Sequence, residues 1–447
     1  MSPLTLQWLI LIGSSLALWF VAPWSRTAKD FYRGSKQEQA PGFWLLTSSL
    51  VISWLFAKSI TNAANLGMSY GMVGGVAYAG YYLSFLTAGV VIYFLRVKGG
   101  FTSLHHFLRS KYGRGAVAIF SVLIGIRLLN EVWSNTMVIG SYFGERGSSS
   151  YYIAILVFTV LTIAYTLKGG LRSSLLTDLI QMLLFGVLLF TILGVLLPRQ
   201  DGDISAFVQS GEWSSAGGLN LLWVALLQLF SYPFHDPVMT DRAFLSDPRL
   251  TLRSFALATV IGAIAIMLFS WVGIFASMEG LEGQAPVAVS RLLGTAMMLM
   301  INFIMVTSAA STLDSTFNSF SKLMIVDLLG IRESSISLGR WVMVLLAIVG
   351  TIPIFFGATI LSATTISGTM VMGLTPVFLF WKHSFSSLSY YLSVGIGLVF
   401  GIVYAAGWYP EAWIWFGGPY ADLLSANLLA LVVCMLAFFL PKLLSRK

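Results

Sequence analysis

The sequence predicts an all-α polytopic membrane protein of about thirteen transmembrane helices, and three observations predict it. The chain of 447 residues is 57% hydrophobic and only 10% charged. Apolar segments close to the roughly 20 residues that cross a bilayer recur from one end to the other. Two of these segments, in corresponding positions, carry residues that interrupt a regular helix. The continuous apolar runs also exclude a transmembrane β-barrel, whose strands alternate apolar and polar residues.

In chain order the runs cover 4–22, 43–66, 72–96, 115–143, 150–167, 174–197, 218–235, 253–277, 293–328, 339–356, 358–381, 387–407 and 420–440. The first, Leu4–Ala22, has the length of a signal-peptide core. No basic residues precede it and no small-residue cleavage pattern follows before Pro23-Trp24, so it is expected to stay as a transmembrane helix. The run at 293–328 is long enough to project beyond the bilayer. The single cysteine, Cys434, lies in the last run, which leaves no disulfide or thiolate metal site.

The net charge of +8 is spread over short loops and does not form a nucleic-acid-binding patch. One set of loops holds the basic residues: Arg26, Lys29, Arg33 and Lys36; Lys98, Arg109, Lys111 and Arg114, with Arg96 at the edge; Lys168 and Arg172; Arg242 and Arg249; Arg332 and Arg340; Lys382; and Lys442, Arg446 and Lys447. The alternate loops, at 67–71, 144–149, 198–217, 278–292, 357 and 408–419, hold few. The positive-inside rule then predicts a cell (inner or plasma) membrane protein with its N-terminus outside and its C-terminus cytoplasmic.

Two segments break the helical pattern. One is Ser59-Ile-Thr-Asn-Ala-Ala-Asn-Leu-Gly67; the other is Gln228-Leu-Phe-Ser-Tyr-Pro-Phe-His-Asp-Pro237, whose prolines cannot continue a regular ladder. Each opens a set of five spans, and because five is odd the two sets have opposite orientation. Paired interrupted helices in corresponding positions point to a transporter site near the midplane. The expected division is an N-terminal helix and loop at 1–42, inverted repeats at 43–197 and 218–382, and two C-terminal helices at 387–447.

Inside the long ninth run lies Ser308-Ala-Ala-Ser-Thr-Leu-Asp-Ser315. Ser308, Ser311, Thr312 and Ser315 follow the i, i+3, i+4, i+7 spacing that puts all four hydroxyls on one helical face. An unsatisfied polar group at membrane depth costs several kcal/mol, so this face needs partners. A hard cation would supply them. So would hydroxyls and small residues of neighbouring helices.

These stretches resemble the sodium:solute symporter family. The likeness rests on Tyr165-Thr-Leu-Lys-Gly-Gly-Leu171 with Thr177-Asp-Leu-Ile-Gln181, on Ser308–Ser315 leading to Asp327, and on Phe101–Gly113 before the third core helix. The resemblance implies the five-plus-five inverted-repeat fold of the leucine transporter, with one extra helix before the core and two after it. It also implies Na+ as coupling ion, held by backbone carbonyls of Ala57 and Ile60 on the first core helix and by Ser308, Ser311 and Thr312 on the eighth. Asp178, on the fifth, would line the inner sodium pathway or support a second sodium; a helix-edge cap after Ser173-Ser174 is the alternative.

The chain departs from the family at Lys58, between the two implied carbonyls. A lysine at membrane depth must pair, snorkel or lose its proton. Arg127 and Glu131 share a face of the third core helix, and Lys58, Arg127 and Glu131 are expected to form a charged network. Lys58 would recognise an acidic solute, replace the cation, or serve as structural glue. By position, Thr61, Asn62, Asn65, Asn135, Gln228 and Tyr232 are candidate solute contacts, although each alone also suits interhelical bonding. Trp133, Phe230 and Phe234 are candidate gates, and Ser362, Thr364, Thr365 and Ser367 suggest a polar outer gate. His105-His106 is a weak metal signal, because adjacent helical positions do not share a face, and His235-Asp236 next to Pro237 is equally weak, a loop-edge pair.

The expected function is secondary active transport: sodium-coupled symport of a small polar organic solute by alternating access, in a lipid bilayer, by a monomer. No nucleophile–base pair supports an enzyme and no nucleotide motif supports a pump. A sodium-independent uniporter or exchanger, with Lys58 in place of the cation, is the first alternative. A transporter-fold sensor is the second, disfavoured by a chain that ends at Lys447 without a signalling domain.

Overall fold

The computed structural model describes residues 2–33, 40–329, 335–356, 360 and 367–444, and all regular structure among them is helical. In chain order the helices include α1 (Pro3–Val21), α2 (Phe43–Trp54), α3 (Ala57–Ala79), α4 (Leu83–Val97), α5 (Arg114–Phe143), α6 (Ser149–Leu171) and α7 (Ser173–Gln200). There follow α8 (Asn220–Leu227), α9 (Pro237–Arg242), α10 (Pro248–Met278), α11 (Ala285–Leu292), α12 (Thr295–Leu328), α13 (Ile336–Phe356), α14 (Leu374–Leu379), α15 (Ser387–Ala405) and α16 (Ala421–Leu444).

Among the described residues, 10 helices are long and apolar enough to cross a membrane, with α3 and α4 counted as one. The protein is a multi-pass membrane protein. The predicted run at 43–66 is split into α2 and the start of α3. The run at 218–235 becomes the short α8 followed by a turn of 3-10 helix at Tyr232–His235. Of the run at 358–381, Ser362, Thr364 and Thr365 lie outside the described residues, as do the loop cations Lys36, Arg332, Arg446 and Lys447.

The first break lies upstream of where the sequence suggested it. Helix α2 ends at Trp54 and α3 begins at Ala57, whereas Ser59–Gly67 is helical throughout. The Asn and Gly residues there serve packing instead. A Cβ on Gly67 would run into the carbonyl of Ser270, and one on Gly273 into the carbonyl of Ala64, so α3 and α10 cross at backbone distance. The chain turns at Gly71 (φ 61°), a conformation that favours glycine. Ser210 holds this turn, its carbonyl and its hydroxyl each accepting from Met72 N at 3.0 Å.

Two compact units divide the chain. The first comprises Met1–Gly75, Leu128–Gly211 and Ile264–Ile360. Its centre is α12, whose residues from Ile304 to Ser319 are all buried, packed against α6 and α7. At one end of this unit the predicted basic loops meet: Lys168 Nζ donates to Trp19 O (2.7 Å), Arg340 Nε to Leu167 O (2.7 Å) and Tyr32 Oη to Ser335 O (3.0 Å). At the other, basic-poor loops meet through Ser210 and Met72 and through Asn65 and Gln284.

The second unit comprises Val76–Arg127, Glu212–Ala263 and Leu361–Lys447. Phe234 stacks on Phe378 with ring centres 3.9 Å apart, and Tyr390 Oη donates to Ala116 O at 3.1 Å. Here too basic-poor segments associate, since Asn220 Nδ2 donates to the carbonyls of Gly417 (2.8 Å) and Pro419 (2.9 Å). Within each unit, the loops separated by charge in the sequence pack with loops of their own set.

Candidate cation and solute site

All five residues implied as sodium ligands, Ala57, Ile60, Ser308, Ser311 and Thr312, lie in the first unit and are buried. At the break, Leu55 leaves helical geometry (φ −83°, ψ 59°), and its carbonyl accepts a hydrogen bond from Ser308 Oγ. Ala57 and Ile60 occupy the first turn of α3, where Ile60 N donates to Phe56 O at 3.0 Å. Thr312 Oγ1 donates back to Ser308 O at 3.1 Å, a local bond that a side-chain rotation can release. The donor set consists of hydroxyls, carbonyls and a carboxylate, all hard oxygens suited to an alkali cation.

The carboxylate is Asp178. It lies in the body of α7, away from the helix edge, and accepts from Ser311 Oγ (2.6 Å) and Ser49 Oγ (2.5 Å), tying α12 and α2 to α7. One turn along α12, Asp314 is equally buried and accepts from Ser174 Oγ (2.7 Å), Tyr165 Oη (3.0 Å) and Thr177 Oγ1 (3.2 Å). Ser315 joins the group, its Oγ 2.8 Å from that of Ser174. The hydroxyl face of α12 thus meets hydroxyls and acids of α2, α6 and α7. Sequence reasoning left Ser49 and Asp314 unassigned. Asp314 carried a usable signal as an acid inside the hydroxyl stripe, whereas Ser49 sits in an ordinary Ser-Ser pair.

Lys58 Nζ pairs with Glu131 Oε1 at 2.7 Å and lies 4.8 Å from the Phe56 ring centre. Asn135 completes this group. Its Oδ1 accepts from Lys58 N (3.1 Å) and its Nδ2 donates to Glu131 Oε2 (2.9 Å), so the side chain fixes the start of α3 against α5. Lys58 and Glu131 thus form a buried ion pair.

Arg127 belongs to the second unit. There its Nη2 lies 3.3 Å from Asp236 Oδ2 and its guanidinium 5.4 Å from the Tyr232 ring centre. Asp236 also accepts from Val238 N (2.9 Å) and Met239 N (3.2 Å), capping α9 where the proline-interrupted segment becomes helical again. The sequence presented Asp236 as a loop-edge residue; it is a buried ion-pair partner.

The remaining solute candidates divide by what already engages them. Asn65 is committed to α11: its Oδ1 accepts from Ala285 N (2.9 Å) and its Nδ2 donates to Gln284 Oε1 (2.7 Å). Gln284, at the helix N-cap, makes no side-chain cap of its own, so Asn65 caps α11 from another segment. Asn62 is buried, as is Thr61, whose hydroxyl has no partner among the described residues. In the second unit Gln228 Nε2 donates to Asn427 Oδ1 at 2.8 Å, while its Oε1 is unpartnered among the described residues.

Of the gate candidates, Trp133 Nε1 donates to Asn130 at 3.3 Å, Phe234 is stacked in the core, and Ser367 is buried. Phe230 is half-buried. His105 packs on Phe120 and His106 Nδ1 sits 3.2 Å from Thr102 Oγ1, an arrangement of ordinary local contacts.

The fold is that of the inverted-repeat membrane transporters typified by the leucine transporter. No family model matches the chain. It is 24% identical over 184 residues to sodium/glucose cotransporter 1 of Ovis aries and 27% identical over the same length to that of Mus musculus. These matches cover 37% of this chain and 27% of each relative's length. Among solved structures, an outward-open Na+-coupled sialic acid symporter superimposes with a TM-score of 0.68 at 16% identity, covering 97% of both chains. Mhp1, a nucleobase-cation-symport-1 family transporter, superimposes with a TM-score of 0.56 at 12% identity over 93% of this chain and 94% of its own. The resemblance to sodium:solute symporters carried by the motifs is thus met both in a stretch of sequence and in the fold of nearly the whole chain.

Proposed function

We propose that the chain is a secondary active transporter that couples sodium flow to uptake of a small polar organic solute by alternating access. The observation that carries this reading is the meeting of Ser308 and Ser311 with the Leu55 break and Asp178. Four helices of one unit converge there on a cluster of hard oxygen donors. A structural role alone would need hydroxyl bonds between helices but no buried carboxylate at their centre. The sodium/glucose cotransporters and the sialic acid symporter named above lend support, since transport is what their names record.

Ser308, Ser311 and Thr312, with the carbonyls of Ala57 and Ile60, are the proposed sodium ligands. Asp178 would draw the ion into this group and offer an oxygen on its way out. Thr61 and Asn62, on the same helix as the carbonyl ligands, are the proposed solute contacts in this unit; Asn65 and Asn135 hold the framework. Sodium and solute would then both bear on the first turns of α3, the physical requirement for coupling. Lys58, neutralised by Glu131, supports sodium-coupled transport over exchange driven by a resident ammonium. We further place the repeats at 43–197 and 218–382, the N-terminus outside, the C-terminus in the cytoplasm of a cell-membrane monomer, and catalysis outside its role.

The test is uptake into proteoliposomes screened over sugars, amino acids, carboxylates, vitamins and urea, with and without an inward sodium gradient. The proposal expects one class to accumulate only with the gradient. It fails if some solute is taken up or bound and sodium alters neither rate nor affinity.

A further inference from the structure

At one end of the second unit two lysines, Lys98 and Lys382, meet no carboxylate among the described residues. The contrast begins within one turn of helix. Arg96 uses its guanidinium on the chain, donating to Ala243 O (2.8 Å), Ser246 O (2.6 Å) and Thr251 Oγ1 (3.2 Å). Lys98, two residues on, has only an aromatic face: its Nζ stands 5.0 Å from the centre of the Phe94 ring. Lys382 approaches that same ring from a different segment, at 5.7 Å, and lies 5.7 Å from Trp381 as well. Both lysines are exposed, and among the described residues neither ammonium meets a carboxylate.

A third lysine borders the patch. Lys442, near the end of α16, sits 4.6 Å over Phe385. Phe385 packs on Phe438 at 4.4 Å, and Phe439 packs on Phe380, two residues before Lys382, at 5.0 Å. Exposed apolar side chains adjoin Lys98 and Lys442 in the chain, Val97 and Leu443, and Leu379 lies one turn before Lys382. Basic residues collect at one end of any membrane protein, but that rule does not bring two ammonium groups onto one ring. Holding two like charges there is unfavourable unless an anion joins them. A ring beneath an ammonium fixes its position and leaves its N–H donors unused.

We propose that Lys98 and Lys382, with Lys442 alongside, form a binding site for the phosphate headgroup of an anionic phospholipid, whose acyl chains run along Val97, Leu379 and Leu443. The position suits this ligand. Lysines at helix ends extend to the interface, where phosphates lie, and basic pockets at that depth recognise acidic headgroups.

The experiment uses the full chain in nanodiscs of phosphatidylcholine containing a fixed fraction of phosphatidylglycerol, with retained lipid counted by native mass spectrometry. The wild type is expected to retain phosphatidylglycerol at least fivefold over its share of the disc. The Lys98→Gln/Lys382→Gln variant is expected to lose at least threefold of that preference. A variant with Arg249→Gln/Arg253→Gln removes the same charge from two exposed arginines of the same unit and is expected to retain the wild-type preference. Excess inorganic phosphate is expected to leave the lipid in place. Equal retention by the lysine variant, an equal loss in the arginine variant, or displacement by free phosphate would each overturn the assignment.

Discussion

Ser311 donates its hydroxyl to the carboxylate of Asp178 across 2.6 Å, joining α12 to α7 where Ser49 of α2 also arrives. A serine from a motif read as an ion site and an acid read as an ion pathway are therefore one hydrogen-bonded group. Replacing Asp178 by Asn keeps the shape and removes the charge that would favour a cation. The sodium concentration for half-maximal uptake should rise at least tenfold, about 1.4 kcal/mol of lost affinity. Solute affinity at saturating sodium should change less than threefold. A variant with unaltered sodium dependence would leave Asp178 a purely structural acceptor.

Lys58 and Glu131 are both buried, and removing one would leave the other's charge without its ion-pair counterpart. Lys58→Met or Glu131→Met alone is expected to destabilise the protein by about 3–5 kcal/mol, whereas the double variant should recover most of that loss. Thermal unfolding in detergent, arranged as a double-mutant cycle, reads this coupling directly. Additive losses would mean that the pair contributes no mutual stabilisation.

Asp236 has two separable tasks, pairing with Arg127 and capping α9. Asp236→Asn retains an oxygen for the cap and loses the ion pair; Asp236→Ala loses both. Stability should therefore fall in the order wild type, Asn, Ala, with the last step about 0.5–2 kcal/mol, the worth of a helix cap. Indistinguishable Asn and Ala variants would remove the capping role.

Asn65 caps α11 from a distant segment, so Asn65→Ala should leave the amide of Ala285 unsatisfied and loosen the helix start. Hydrogen exchange across that helix is expected to quicken at least tenfold, while solute affinity moves less than threefold. The reverse pattern, a large loss of affinity with unchanged exchange, would return Asn65 to the solute site.

Much of this architecture is legible in the sequence because the bilayer imposes it. Apolar length marks most of the spanning helices, and loop charge sorts the loops that pack together. The hydroxyl face of α12 follows from helical spacing alone. The break at Leu55–Phe56 is not legible, for those residues are apolar and the irregular backbone is held by Ser308 across 253 positions of chain. Conversely, Asn65 and Gly67 suggest a break, but tertiary partners satisfy the one and close helix crossing requires the other. The partners of Lys58 and Arg127 illustrate the same limit. Glu131 can be guessed from membrane depth, but Asp236 is found only once the prolines around it are folded.

The most direct test of the central claim, that the face of α12 with the Leu55 break holds the coupling ion, is equilibrium binding of radiolabelled sodium to the purified protein. Wild type should bind sodium saturably, and Ser311→Ala/Thr312→Ala should lose at least tenfold in affinity while keeping its unfolding temperature within a few degrees. Sodium binding of equal strength in both proteins would contradict the account.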